Sequence, residues 1–187
     1  MRIIVGISGA SGGILGLHML RALAEQPGCE THLVMTEGAV QSIRYETDLD
    51  VQTFLDAADY AHPIDNLGAL IASGSYKTDG LIIIPCSMKT LAGVVNGYSD
   101  NLLLRAADVC LKEQRKVILV PREMPLSAIH LDNMRKAVGY GCAICPPMLT
   151  FYNKPQSIDD MINHIIGKVI LLLGLEPKVF APWKGGA

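Results

Sequence analysis

A loop rich in glycine and serine follows the first apolar run of the chain and precedes a predicted helix over 14–26. At this loop, 8–13, the free backbone N–H groups and the dipole of the helix N-terminus would favour an anion. The spacing of its glycines differs from G-x-G-x-x-G, and no Lys-Ser or Lys-Thr follows, so neither a dinucleotide fingerprint nor a Walker A loop is indicated. Ser8 and Ser11 could meet a phosphate, a flavin or a reacting proton. A turn that needs its glycines only for tight packing is an equal alternative.

The adjacent pair Arg122 and Glu123 is a second candidate, because it follows the apolar run 117–120 and is flanked by Pro121 and Pro125. The arginine could hold an anionic group through two parallel hydrogen bonds. A partly desolvated glutamate beside it could have a raised pKa and donate or relay a proton. The alternative is an ion pair that only stabilises the end of a buried strand.

A polar stripe marks one face of the predicted helix over 101–114. Its members recur at helical spacing: Asn101, Arg105, Asp108 and Lys112. The stripe could contact a ligand, and a solvated face with helix-spaced ion pairs is the alternative.

Two further candidates lie farther along the chain. Tyr152 could form part of the rim of the site. Lys168 lies in an apolar final helix, where its side chain either extends to solvent or contacts an anion.

The C-x-x-C pair Cys142 and Cys145 lies in an apolar segment without a second pair of ligands. We therefore expect a buried strand over 142–145, and a redox or metal role is the less favoured alternative. The five histidines lack a metal-binding spacing such as H-E-x-x-H, so we expect no metal site. The absence of G-x-S-x-G argues against an α/β-hydrolase.

Apolar blocks alternate with helical patterns along the chain. The predicted strands are 3–7, 31–35, 80–84, 116–120 and 142–145. Near-continuous apolar strands separated by helices are typical of a doubly wound α/β fold, Rossmann-like or flavodoxin-like, with a mostly parallel sheet and helices on both faces. We expect a single domain over 1–187, in which 59–68 is an irregular surface excursion.

Ligands of open parallel sheets bind beyond the carboxyl ends of the strands. Four predicted loops meet there: 8–13, 36–37, 85–90 and 121–123. Three of these loops carry hydroxyl groups and the fourth carries the charge pair. The sequence therefore predicts a phosphorylated ligand with a polar head at the strand ends.

Composition limits the classes of partner. Basic and acidic residues nearly balance, 16 against 18, which leaves a net charge of −2 and no basic tract for nucleic acid. The mean hydropathy of +0.31 is high, yet no apolar run reaches the roughly 18 residues of a membrane span. The excess of apolar surface predicts a homo-oligomer. The N-terminus lacks the features of a signal peptide, so we expect a cytoplasmic protein with reduced cysteines.

Several motifs together resemble the UbiX-type flavin prenyltransferases, and most of all the proteins called the B components of phenolic-acid or hydroxyarylic-acid decarboxylases. The motifs occur in the expected order over nearly the whole chain: 6–12 (GISGASG), 45–48 (YETD), 85–93 (PCSMKTLAG), 100–109 (DNLLLRAADV), 119–127 (LVPREMPLS), 146–148 (PPM) and 155–160 (PQSIDD). The resemblance implies transfer of a dimethylallyl group from dimethylallyl phosphate to N5 and C6 of reduced FMN. The product, prenylated FMN, is the cofactor of UbiD-type aromatic acid decarboxylases.

The resemblance also implies roles for individual residues. FMN would be held by Gly9, Ala10, Ser11, Thr36, Ser87, Met88, Lys89, Thr90 and Arg122. The catalytic proton relay would consist of Ser11 and Glu123, supported by Glu46. The phosphate of the prenyl donor would be surrounded by Arg105, Lys112, Tyr152 and Lys168. Because no Asp-rich pair suited to magnesium is present, these groups would stabilise the leaving phosphate without a metal.

The family pattern further implies a dodecamer with sites at subunit contacts, in which the tail 175–187, including Trp183, packs on a neighbouring subunit. Two positions depart from the pattern. Lys168 stands where relatives usually have arginine, and 66–70 lacks a tryptophan found in some relatives. Two alternatives are an FMN-dependent decarboxylase of cysteine-like thiols, for which His62 would have to be the catalytic histidine, and a non-catalytic subunit that delivers flavin to a decarboxylase.

Overall fold

The computed structural model describes residues 1–178, 180, 182, 183 and 185. The strands are β1 (Arg2–Ile7), β2 (Glu30–Met35), β3 (Tyr60–His62), β4 (Gly80–Cys86), β5 (Lys116–Pro121) and β6 (Ala143–Ile144). They form one parallel six-stranded sheet in the order β3-β2-β1-β4-β5-β6. The order reverses between β1 and β4, which is where a ligand crevice is expected in this architecture. The predicted doubly wound α/β class is confirmed.

Helices connect the strands and cover both faces of the sheet. They are α1 (Ile14–Ala24), α2 (Glu37–Glu46), α3 (Val51–Leu55), α4 (Met88–Val95), α5 (Leu102–Lys112), α6 (Ala128–Gly139) and α7 (Ile158–Leu173), with a 3₁₀ turn at Leu70–Ala72. Within the part of the chain that the structure describes, none of them combines the length and apolar character needed to cross a membrane.

The core consists of two apolar layers, one on each face of the sheet. On one face, α1 and α7 pack over Ile3, Val5 and Ile7 of β1. On the other face, α4 and α5 pack over Ile4 of β1 and Ile83 of β4. Because successive side chains of a strand point to opposite faces, burial of both faces requires the near-continuous apolar runs seen in the sequence.

Two predicted elements differ from the structure. The segment 59–68, expected as a surface excursion, contains β3, which pairs in parallel with β2 at the sheet edge. Its residues Tyr60 and Ala61 are exposed and His62 is half-buried, so it lacks the apolar pattern of a central strand. The expected buried strand 142–145 shortens to the half-buried edge strand Ala143–Ile144, and only Cys142 of that segment is buried.

The final helix, α7, is capped at both ends. The side chain of Ser157 accepts the N–H of Asp160, and the Asp160 carboxylate accepts the N–H of Ser157, which forms a capping box. The helix ends at Gly174, whose φ of 86° suits the left-handed cap that glycine adopts without steric cost. The first helix ends at Ala24, two residues earlier than expected.

Candidate functional site

The carboxyl ends of the strands border a cleft of about 560 Å³. This volume lies in the range of ordinary small-molecule sites. The loops after β1, β2 and β4 line it, together with the segment after β3 and the start of α5. The predicted site residues that line it are Gly9, Thr36, Ser87, Met88, Lys89, Thr90 and Glu123. The structure thus brings most of the predicted flavin-binding residues to one cleft.

Two helices begin at this cleft. The Thr36 hydroxyl caps α2 by accepting the N–H of Ala39 at 3.1 Å, and the Ser87 hydroxyl caps α4 by accepting the N–H of Thr90 at 3.2 Å. The first-turn residues of both helices line the cleft. The remaining N–H groups and the helix dipoles therefore favour an anionic ligand here.

Ser8 joins two loops of the cleft and does not face a ligand. Its buried hydroxyl donates to the carbonyl oxygen of Pro85 at 2.9 Å and accepts the N–H of Ser87 at 2.7 Å. These contacts occupy the hydroxyl proton, so the expectation that Ser8 could meet a phosphate is not supported. Of the two candidate serines, Ser11 is the exposed one.

Glycines allow the loop after β1 to approach the first turn of α2. A Cβ on Gly9 would lie 3.0 Å from the Cα and the carbonyl carbon of Gly38, which is too close for a side chain unless the two backbones separate. Gly12 has a φ of 98°, a conformation that L side chains rarely adopt. Gly9 and Gly38 both line the cleft, so their close approach fixes the shape of one of its walls in addition to allowing tight packing.

Glu46, the last residue of α2, contacts the same loop. Its Oε2 accepts the backbone N–H of Gly12 at 2.8 Å. Ala10 on the other side of Ser11 donates its N–H to the carbonyl oxygen of Ser8 at 2.8 Å. The backbone on both sides of Ser11 is therefore held, and Glu46 is bonded to the residue that follows Ser11.

Arg122 and Glu123 follow β5 and are both exposed in the single chain. The expected partial desolvation of Glu123 is thus wrong for the isolated chain, because the whole segment after β5 lies at its surface. The Glu123 carboxylate accepts the N–H of Met124 at 3.0 Å, and the Arg122 N–H donates to the carbonyl oxygen of Cys86 at 3.1 Å. Among the described residues no ion pair joins the two side chains, so the structural ion-pair alternative is not supported.

The polar stripe of α5 divides into a cap and two local ion pairs. Asn101 was expected on the helical face. It instead precedes the helix and caps it. Arg105 pairs with Asp108 at 2.7 Å, and Lys112 pairs with Glu113 at 2.6 Å. Arg105 and Lys112 are both predicted ligands of the phosphate, and in the single chain each already forms an ion pair with a neighbouring carboxylate.

Tyr152 and Lys168, the other two predicted phosphate ligands, line a separate cavity of about 470 Å³. Its walls include the aromatic side chains of His164, Phe180 and Trp183. The four predicted phosphate ligands therefore do not converge within one chain.

Sequence reasoning missed Ile64 and Asp65, which follow β3 and line the cleft. Pro63 was the available signal for a short edge strand at Tyr60–His62, because proline is tolerated in edge strands. The next segment, 66–70, is largely exposed and carries leucines where some relatives were expected to have tryptophan.

The C-x-x-C thiols are poorly suited to redox or metal chemistry. Burial raises the pKa of Cys142 to about 11 and also raises the pKa of Cys145. The reactive form of a thiol is the thiolate, which a raised pKa disfavours. Within the described ranges no group of three or more His, Cys, Asp or Glu side chains is arranged to hold a metal ion.

Comparison with known proteins gives the family. A family model described as Flavoprotein matches residues 1–170. The chain is 57% identical over 185 residues to a probable UbiX-like flavin prenyltransferase of Sedimentibacter hydroxybenzoicus, an alignment that covers 99% of this chain and 98% of that relative. The chain belongs to the UbiX-like flavin prenyltransferase family.

Two crystal structures of UbiX-like proteins have nearly the same fold. One is a dodecameric FMN-dependent UbiX-like decarboxylase from Escherichia coli O157:H7, with a TM-score of 0.97 at 50% identity over 99% of this chain and 100% of that one. The other is AnUbiX (PadA1) in complex with FMN and dimethylallyl pyrophosphate, with a TM-score of 0.97 at 45% identity over 100% of this chain and 98% of that one.

The alternative functions are not favoured for this UbiX-like chain. His62, which a cysteine-type decarboxylase would need, contacts Nδ1 of His32 through Nε2 at 2.9 Å, and the two rings stack. It does not line the cleft at the strand ends. The relatives are named for flavin prenyl transfer, which also disfavours a subunit that only delivers flavin.

Proposed function

We propose that this chain is a flavin prenyltransferase that transfers a dimethylallyl group from dimethylallyl phosphate to N5 and C6 of reduced FMN. The observation that carries the proposal is the convergence, in a UbiX-like chain, of a glycine loop, two capped helix N-termini and Glu123 on one cleft. When bound, reduced FMN supplies the nucleophilic atoms. The AnUbiX complex with FMN and dimethylallyl pyrophosphate supports FMN and a phosphorylated dimethylallyl donor as the two ligands.

The cleft fits a flavin phosphate on its own chemistry. Helix N-termini supply N–H donors for the phosphate, and the lack of a side chain at Gly9 lets the loop after β1 lie close against Gly38 at the start of α2, so that both line the cleft. In this proposal FMN is held by Gly9, Ala10, Ser11, Thr36, Ser87, Met88, Lys89, Thr90 and Arg122. The cap hydroxyls of Thr36 and Ser87 hold the helix ends in place.

Ser11, Glu46 and Glu123 would handle the proton. Departure of an allylic phosphate is eased by a proton donor, and completion of the new ring requires a base, so one carboxyl group near the reacting atoms can serve both steps. Glu123 lines the cleft and takes this role. Ser11 relays the proton, and Glu46 holds the backbone beside Ser11 through Gly12.

Assembly of several chains would complete the phosphate site. Arg105, Lys112, Tyr152 and Lys168 surround the phosphate in this proposal, although they lie apart in one chain. We infer a homo-oligomer, and specifically a dodecamer like the E. coli relative. Exposed apolar side chains on α6 support this inference: Ile129, Leu131 and Val138.

The tail 175–187 is part of the same proposal. Val179, Ala181, Lys184, Gly186 and Ala187 lie outside the described residues. Trp183 packs edge-on against Tyr152 of its own chain, with ring centroids 5.6 Å apart. Packing of the tail on a neighbouring subunit remains a prediction.

Cationic side chains take the place of a metal in this mechanism. Negative charge grows on the leaving phosphate, and preoriented positive groups stabilise that charge most in the transition state. Lys168 contributes a point charge where an arginine would contribute two parallel hydrogen bonds.

We further propose that prenylated FMN passes to a UbiD-type decarboxylase, and that both proteins work in the cytoplasm.

The deciding experiment is anaerobic incubation of the purified protein with FMN, a reductant and dimethylallyl phosphate. We expect a flavin that is heavier by one prenyl unit, identified by mass spectrometry. Parallel reactions with dimethylallyl pyrophosphate and with a metal chelator test the donor preference and the metal independence. Recovery of only unmodified FMN from both donors would overturn the proposal.

A further inference from the structure

His164 is a buried polar residue that lies beside the predicted phosphate ligands. It is 7% exposed and lies on α7, one helical turn before Lys168. Its Nε2 lies 2.9 Å from the hydroxyl oxygen of Tyr152. Its ring stacks on Phe180, with centroids 4.8 Å apart, and meets the Tyr152 ring edge-on. Packing thus holds the imidazole in one orientation against the tyrosine hydroxyl.

The surroundings of His164 select one tautomer. Burial lowers the pKa of His164, so the ring is neutral near pH 7 and carries one N–H. Among the described residues its Nδ1 has no hydrogen-bond partner. A proton on Nδ1 would leave a buried N–H without an acceptor, and orphaned buried N–H groups are rarer than unpaired acceptors. The proton therefore belongs on Nε2, which faces Tyr152.

The tautomer decides what Tyr152 offers to a ligand. A phenol has one O–H proton and accepts through its oxygen. When His164 donates to that oxygen, the phenol proton is left to donate to another group. In the opposite tautomer Tyr152 would donate to His164 and present only lone pairs, which repel an anion.

We propose that His164 is a positioning residue: its Nε2–H donates to the Tyr152 hydroxyl, so that the phenol proton is directed to the phosphate of the dimethylallyl donor bound near Lys168. The proposal rests on the proposed function, because it assumes that Tyr152 and Lys168 contact this phosphate. Both side chains line the same cavity as His164. A hydrogen bond to an anion is stronger than a neutral one, so aiming this single proton affects binding and transfer.

Three substitutions test the proposal. His164→Phe keeps the aromatic stack on Phe180 and removes the donor, His164→Gln restores an N–H near the Nε2 position, and His164→Asn places its amide near Nδ1 instead. We expect His164→Phe and His164→Asn to lower kcat/KM for dimethylallyl phosphate roughly tenfold, the scale of a hydrogen bond to a charged group. His164→Gln should retain most of the activity, and all variants should bind FMN as the wild type does.

A double substitution separates positioning from a merely structural role. In a Tyr152→Phe background, His164→Phe should cause no further loss, because the hydroxyl on which it acts is absent. A further tenfold loss in that background would overturn the proposal, as would His164→Asn matching the wild type while His164→Gln does not.

Two measurements keep the test independent of prenyl transfer. Long-range ¹H–¹⁵N NMR of the folded wild type should show the Nε2–H tautomer of His164, and observation of the Nδ1–H tautomer would overturn the proposal. Calorimetric binding of dimethylallyl phosphate should weaken in His164→Phe. The wild type could fail to make prenylated flavin and still bind dimethylallyl phosphate more tightly than His164→Phe does. In that case the proposed function fails while the role of His164 stands. Equal binding by wild type and variant contradicts the role itself.

Discussion

The carboxylate of Glu46 accepts the backbone N–H of Gly12 at 2.8 Å, which joins the end of α2 to the loop after β1. Thirty-four positions separate the two residues in sequence. The contact holds the backbone next to Ser11 by a hydrogen bond to a charged acceptor, a type worth about 1.5–3 kcal/mol. The position of a proposed proton-relay residue thus depends on a side chain from another element.

Replacement of Glu46 tests this dependence. Glu46→Gln retains an acceptor oxygen for the Gly12 N–H, whereas Glu46→Ala removes it. We expect Glu46→Ala to slow prenyl transfer about tenfold and Glu46→Gln to remain close to wild type, since the role is to hold the loop. Single-turnover rates with bound FMN provide the measurement. Equal losses in both variants would mean that the carboxylate charge itself takes part.

Substitution of Glu123 tests whether the protein catalyses prenyl transfer or only delivers flavin. It lines the cleft, and its carboxylate has no partner in the described residues beyond the Met124 N–H. Glu123→Gln should bind FMN normally and lower the transfer rate at least about a hundredfold, the usual scale of a lost acid–base group. Product is measured by mass spectrometry, and flavin binding by fluorescence. A Glu123→Gln protein that supports a partner decarboxylase as well as wild type would favour delivery instead.

Ser11 should act in the same step. Ser11→Ala removes an exposed hydroxyl that makes no hydrogen bond within the described chain, so the fold should be unaffected. We expect normal FMN binding with slow prenyl transfer. Ser8→Ala is a contrasting variant, because loss of the buried hydroxyl leaves the Ser87 N–H unpaired and the Pro85 carbonyl with only the backbone N–H of residue 8, which should destabilise the chain by about 1–3 kcal/mol. Matching phenotypes would refute this division of roles.

How far the sequence predicted the fold depended on where each strand lies in the sheet. Strands β1, β4 and β5 are covered on both faces and therefore appear as continuous apolar runs. Strand β3 is an edge strand of only three residues, two of which are exposed, so no hydrophobic periodicity marked it. Because β3 was not predicted, Ile64 and Asp65, which follow it and line the cleft, were not predicted as site residues either.

The candidate site was predictable to the extent that it depends on strand ends. Thr36 and Ser87 were found because parallel strands end at one edge of the sheet. Glu46 came only from family resemblance, since its partner Gly12 is distant in sequence. Tyr152 and Lys168 line a separate cavity of the single chain, so neither the rule of strand ends nor the fold of one chain places them beside the cleft.

The closeness of Gly9 to Gly38 gives a steric prediction. Gly9→Ala forces the loop after β1 away from the first turn of α2, because the new Cβ would lie 3.0 Å from the Gly38 backbone. Such overpacking costs about 1–3 kcal/mol and should distort the flavin cleft, so we expect weaker FMN binding by at least about tenfold. Gly139→Ala, at the exposed end of α6 where a Cβ meets nothing within 4 Å, is the matched control. FMN titration of both variants makes the comparison, and tight binding by Gly9→Ala would contradict the steric argument.

The histidine cluster at the β2–β3 edge predicts how stability changes with pH. Burial, with a smaller effect of His32, lowers the pKa of His62 below the 6.5 of an unfolded chain. Hydrogen bonding from His32 and Arg2 lowers the pKa of Glu30 below 4.5. Between the folded and unfolded pKa values of His62 the unfolded chain binds more protons, so the free energy of unfolding rises with pH across that window. As pH falls below about 6.5, this contribution is lost first, and the contribution of Glu30 follows below 4.5.

His62→Gln removes the first of these two contributions, because glutamine does not take up a proton. Chemical denaturation at pH 7.5, 6.5 and 5.5, with constant salt and protein concentration, should give a steep fall in unfolding free energy for wild type and a shallower one for the variant. The two proteins should differ in slope even if they differ in stability at pH 7.5. An NMR titration of His62 in the folded wild type gives an independent check, and a midpoint at or above 6.5 would contradict both the assigned direction of the shift and the stability argument built on it.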